Sequence, residues 1–189
     1  MSQKSYNDSK KALQGVYAWV ETFLFALAAV VLIFTFVLKF VTVSGDSMMQ
    51  TFHNGDRLLI SGINYTPKQG DVVVVDVSHN LEEMGYQSGA PYIKRVIATE
   101  GQTVNIDPFT WTVYVDGVPL EEPYVYRCNN DKMVRGYVDY PYTVSEGCVF
   151  VMGDNRNGSS DSRMLGEIEE KYILGKVFMR LVPDFGVIK

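Results

Sequence analysis

A chain of 189 residues, 47% hydrophobic and with a formal net charge of −5, has room for one domain and at most a subdomain. The acidic balance, and the lack of a basic patch interleaved with aromatics, argue against nucleic acid as a partner. Two histidines, His53 and His79, and two cysteines, Cys128 and Cys148, are spaced too widely for a metal-ligand set, so a zinc centre is not expected.

The hydrophobic residues are unevenly spread. No residue from Thr22 to Leu38 is charged. That run is about 25 Å long as a helix, and Val16 to Val20 extend it past the ~30 Å of bilayer hydrocarbon. Tyr17 and Trp19 fall where an interfacial aromatic belt lies, and Glu21 sits near one end, within reach of headgroups. A cleaved secretory signal would be shorter and end in a small-residue site, which "KFVTVSG" lacks. A buried core helix would show a polar stripe, and none is visible between Phe23 and Leu38. The expected organisation is a tail over 1–15, a transmembrane helix over 16–40 in the lipid bilayer, and a domain over 41–189. Lys4, Lys10 and Lys11 against Asp8 point to a cytoplasmic tail and an extracytoplasmic domain, with Lys39 as the opposing charge. Outside the cytoplasm a Cys128–Cys148 disulfide is open to the chain, and spacing alone does not decide it.

After the span the texture changes to short β-rich runs divided by turns. "RLLI" follows Asn54-Gly55, a strong hairpin dipeptide. "DVVVVDV" and "YIKRVIA" come next, separated by the polar loop Ser78 to Ala90. "QTVNI" and "TVYVDGVPL" follow, and "CVFVMGDNR" and "GKVFMRLV" close the domain. This spacing predicts a mainly β fold, an antiparallel sheet or barrel, with no convincing helix after residue 40. The Pro-, Tyr- and Asp-rich stretch over about 106–145 reads as an inserted β subdomain.

Three segments carry candidate chemistry. "SGDSMMQT" places Ser47 in a turn within about ten residues of the span. Gly45 before it permits a tight turn and a close substrate approach. Taken alone, such a serine is an ordinary turn residue. A nucleophile needs a base, and His53 has no second motif to orient it. Lys94 is the other candidate. Alternation in "YIKRVIA" puts Lys94 on one face with Tyr92 and Val96, and Arg95 on the other with Ile93 and Ile97. Burial would have to lower its pKa from about 10.4 by about three pH units, a differential of ~4 kcal/mol, which apolar surroundings can supply. The third segment, "MGDNRNGSSDSR", concentrates donors and acceptors in one loop, as suits a buried polar network.

Together "GDSM", "KRV" and "GDNR…S.DSR", in this order after an N-terminal span, resemble the bacterial type I signal peptidases, in the short single-span form of Gram-positive bacteria. The resemblance implies a membrane-bound serine endopeptidase that removes signal peptides from secretory preproteins, and it implies no cofactor. By it Ser47 is the nucleophile and Lys94 the general base. Ser159 matches the serine whose hydroxyl helps orient the lysine amine, Asp161 and Arg163 hold the corner of the site, and Asp154 and Arg156 support the same loop. The substrate is expected to add as a strand beside Thr42, Val43 and Ser44 and beside Tyr92 and Ile93, with small residues one and three positions before the cut. Gln50 departs from the family pattern, which has proline there. That departure carries the alternative reading, a membrane-anchored protein that captures signal peptides without cutting them.

Overall fold

The computed structural model describes residues 3–32, 38–85, 89–127 and 132–188. They form two units, divided after Lys39, each considered by itself. The first is the helix α1 (Gln3–Leu32), whose segment Leu13–Leu32 has a mean hydropathy of 1.9 and is long and apolar enough to cross a membrane.

The second unit is mainly β. Its larger sheet contains β1 (Lys39–Thr42), β2 (Arg57–Ser61), β3 (Val72–Val75), β4 (Tyr92–Thr99), β9 (Cys148–Met152), β10 (Ile168–Glu169), β11 (Ile173–Val182) and β12 (Gly186–Val187). The order is β1-β2-β11-β3-β4-β9-β10, with β12 paired to β11, and the sheet curls into an antiparallel half-barrel. A smaller sheet, in the order β7-β6-β5-β8, is built from β5 (Thr103–Asp107), β6 (Thr112–Val115), β7 (Val118–Pro119) and β8 (Tyr142–Thr143). The mainly β expectation is met. The polar loop after β3 is not all loop, however: α2 (Ser78–Glu83) makes a short helix there with no buried residue. Its lack of an apolar face is why no helical periodicity shows in the sequence.

Burial explains the valine-rich run. Val72 and Val74 belong to one core cluster, with Leu58, Ile60 and Val177. Val73 and Val75 belong to another, with Val96, Val149 and Ile168. A strand covered on both faces has no reason to alternate. A third cluster joins the smaller sheet to the larger, packing Val104, Ile106 and Val113 against Ile97, Phe150 and Met152.

Candidate active site

The nucleophile turn is a loop closed at its base. Gly55 N–H donates to the Val43 carbonyl and Val43 N–H to the Asp56 carbonyl, each at 2.9 Å, so residues 44–54 bulge from the start of the sheet. Met48 and Phe52 are fully buried in the cluster beneath and anchor it. Gly45 has φ +90°, which a side chain would strain, and its N–H donates to Asn54 Oδ1 (3.2 Å). Gln50 has φ +65°. A proline ring locks φ near −65°, so proline cannot adopt this backbone, and glutamine here belongs to a differently wound turn.

Lys94 lies in β4 opposite Val73, 3% exposed, with Nζ 2.8 Å from Ser47 Oγ and 3.1 Å from the Ile93 carbonyl oxygen. The Tyr92 ring, 4.9 Å away, covers it from the same face. Burial pulls the amine down to about 8 from 10.5. The nearby Asp161 charge works against this, Arg163 adds to it, and Asp154 again opposes it. Ser47 N–H makes no hydrogen bond among the described residues and remains available to a ligand. His53 is exposed on the turn, and its backbone engages Asp56: its N–H donates to Asp56 Oδ2 and its carbonyl accepts from Asp56 N–H, each at 3.1 Å.

The loop after β9 forms the back of the site. Asn155 N–H donates to the Ser47 carbonyl (3.0 Å) and its Nδ2 to the Asp46 carbonyl (3.1 Å), holding the nucleophile turn from behind. Asp154 accepts from Arg95 Nε (2.9 Å) and Nη2 (2.7 Å) and also from the Thr51 hydroxyl. One carboxylate thus ties the residue after the lysine to the end of the serine turn. Asp161 and Arg163 are a fully buried pair, Nε to Oδ1 at 2.8 Å and Nη2 to Oδ2 at 2.8 Å. Burial works against the Asp161 carboxylate, yet the Arg163 guanidinium and the Gly153 N–H hold its carboxyl below the ordinary range. Arg156 is buried against Glu122. The Ser159 hydroxyl is buried beside the Asp161 carboxylate, whose charge it helps to hold, and among the described residues it makes no hydrogen bond to Lys94. Gly153 is obligatory: a Cβ there would stand 2.3 Å from Ser159 Oγ and 2.5 Å from the Ser47 carbonyl oxygen.

A cleft of about 570 Å³ opens over Ser47. Thr42, Val43, Ser44, Tyr92, Ile93 and Lys94 line it, over a floor that includes Val74 and Leu174. Both walls have open backbone. β1 is an edge strand, and Tyr92 to Lys94 pair only with β3, because the β9 ladder begins at Arg95. Asp154, Arg156, Ser159, Asp161 and Arg163 do not line the cleft and lie behind it. Sequence reasoning missed Arg95, Thr51, Asn155 and Glu122. The signal for Arg95 was a second cation beside Lys94, one that alternation sends to the opposite, equally buried face. A pairing of Cys148, which is a buried thiol, with Cys128 lies outside the described residues.

Comparison with known proteins shows the family of the chain. The sequence model of the family described as "Signal peptidase, peptidase S26" matches residues 16–182. A probable signal peptidase I-1 of Synechocystis is 38% identical, over 84% of this chain and 78% of its own length. The signal peptidase I of Bacillus licheniformis is 33% identical over 93% and 91%, and the signal peptidase I T of Bacillus subtilis 34% over 88% and 86%. A solved signal peptidase I from Enterococcus faecalis is similar over 59% of this chain and 97% of its own, at 28% identity and a TM-score of 0.45, and the assignment does not rest on it. With a match over most of its length, and relatives this similar end to end, the chain belongs to the signal peptidase family, peptidase S26, membrane serine endopeptidases that act on signal peptides through a Ser–Lys dyad.

Proposed function

We propose that Ser47 and Lys94 are the dyad with which this chain cuts signal peptides from secretory preproteins, outside the cytoplasm and after small residues. The observation that carries this reading is the contact at 2.8 Å between the serine hydroxyl and a buried lysine that bonds no carboxylate among the described residues. Neutral Lys94 takes the Ser47 proton as Oγ attacks the carbonyl at the cut, and the free Ser47 N–H donates to the developing oxyanion. The lysine then returns its proton to the leaving amine, and water attacks the acyl-enzyme with Lys94 again as base.

The substrate would lie as an added strand between the open edges at residues 42–44 and 92–93. Its side chains at alternate positions would meet a floor of Val43, Val74, Ile93 and Leu174. A shallow apolar floor suits small residues one and three positions before the cut. The basic tail favours a cytoplasmic N-terminus, with the apolar helix as anchor. Asp161 and Arg163 keep the corner beside Lys94 rigid, and Asp154 with Arg156 holds the loop that backs Ser47.

The detergent-solubilised chain, given a preprotein with an Ala-x-Ala site, is expected to cleave after that site. Ser47→Ala and Lys94→Arg are expected to lose cleavage by roughly 10²–10⁴-fold or more, since arginine cannot serve as a neutral base. Near-normal turnover by Lys94→Arg would overturn the dyad. A folded wild type that binds the preprotein without cutting it would leave the capture reading.

A further inference from the structure

The excursion that leads out of the smaller sheet returns to the back of the active site, and nothing in the chemistry described so far uses it. Leu120 and Val125 fix it to the core of that sheet. Between them runs a turn closed by Val125 N–H on the Glu122 carbonyl (3.2 Å), and it touches the catalytic frame at three places. The Glu122 carboxylate receives both terminal nitrogens of Arg156, Nη1 at 3.0 Å and Nη2 closer still. The Tyr124 ring lies under the Arg95 guanidinium, 3.8 Å from its Cζ, and its hydroxyl donates to Glu122 Oε1 (3.1 Å). Tyr126 N–H donates to the Asp154 carbonyl (2.9 Å).

These three contacts alternate with the residues that touch the reactants. The turn holds Arg95, Asp154 and Arg156. Lys94, beside Arg95, meets Ser47 Oγ, and Asn155, between Asp154 and Arg156, carries the Ser47 and Asp46 carbonyls. We infer that residues 120–126 form a strap that sets the distance between base and nucleophile, and that Glu122 and Tyr124 are positioning residues for the reaction.

Charge gives the strap its leverage. Asp154 already serves Arg95, so Glu122 is the only carboxylate bonded to Arg156 among the described residues. The other bonds of the Arg156 side chain go to the Gly153 carbonyl and the Met133 sulfur. Without Glu122 a fully buried guanidinium has no counter-charge and must move or admit water. Arg156 Nε donates to the Gly153 carbonyl, and Gly153 is where the Ser47 backbone and Ser159 pack closest, so that movement reaches the nucleophile. Tyr124 acts on the other side: its ring gives Arg95 a stacking face that an aliphatic side chain cannot replace.

The inference rests on the Ser47–Lys94 reading, and the test separates the two. Full-length chain in detergent is assayed on a preprotein, per folded enzyme, with Ser47→Ala beside the strap variants. Glu122→Gln is expected to lower kcat on the order of a hundredfold with KM unchanged, because the strap does not line the cleft. Glu122→Asp is expected to restore most of that loss by restoring the charge. Tyr124→Leu is expected to cost about tenfold in kcat, whereas Tyr124→Phe, which keeps the ring and gives up only the hydroxyl's bond to Glu122, is expected to recover most of that loss. A strap that only stabilised the fold would change the folded fraction and leave kcat per folded enzyme alone. If Glu122→Gln does not fold, Tyr124→Leu, which removes no charge, decides. Wild-type kcat in folded Tyr124→Leu, or a loss confined to KM, overturns the strap. Cleavage surviving in Ser47→Ala overturns the dyad instead.

Discussion

The two faces of β4 hold a cation each, and they treat it in opposite ways. Lys94 is 3% exposed and Arg95 5%, one residue apart. Arg95 has a two-point bond to Asp154, a third to the Gly70 carbonyl and an aromatic ring against its face, so its charge is compensated and permanent. Lys94 has no carboxylate partner among the described residues, only a serine hydroxyl and a carbonyl, and its charge becomes negotiable. Burial alone therefore makes neither a base nor a strut. What decides is whether the desolvated charge is paired, and pairing follows from which loop each face meets.

Removing the partner on the paired face breaks the contrast most severely. Asp154→Ala leaves Arg95 buried without a counter-charge and the Thr51 hydroxyl without its acceptor. A loss of roughly 3–5 kcal/mol is expected in urea unfolding of the solubilised chain. A loss below about 1 kcal/mol would mean that the pair is dispensable to the frame.

On the unpaired face the sign reverses. Lys94 titrates at 10.5 when unfolded and at about 8 when folded. Below pH 8 both states are protonated and the fold carries the full cost of a buried ammonium; that cost fades as pH rises from 8 to 10.5 and the native state loses its proton first. Lys94→Met is therefore expected to abolish cleavage and yet to stabilise the protein by roughly 3 kcal/mol at pH 7, with the difference gone above pH 10.5. The same titration predicts that wild-type kcat/KM climbs about tenfold per pH unit below pH 8 and levels above it, read from initial rates across pH. An activity plateau already reached at pH 6 would contradict a lysine base.

The smallest expected effect concerns the turn. Gln50→Gly relieves a left-handed backbone at the cost of a looser unfolded chain, for a net gain of roughly 0.5–1 kcal/mol in unfolding experiments. Destabilisation by glycine would show that the Gln50 side chain, not its backbone, holds the turn.

Much was readable one-dimensionally. The apolar run of α1, the strands at "RLLI", "YIKRVIA" and "CVFVM", and the turn around Ser47 all follow from local composition, because spanning length, strand period and turn chemistry are properties of short stretches. The motifs named Ser47, Lys94 and the loop from Asp154 to Arg163 as the parts of one site. Which atoms meet could not be read there. Ser47 and Lys94 are 47 residues apart, Arg95 and Asp154 59, and Thr51 and Asp154 103. Such contacts depend on how the sheet curls and on which edges it leaves open. Only tertiary structure decided that Lys94 would lack a carboxylate while Arg95 kept one, that Gln50 would wind its turn through positive φ, and that Glu122 would cross over to Arg156. A local pattern records what a residue prefers; a buried charge is governed by whatever the fold brings within a few ångströms of it.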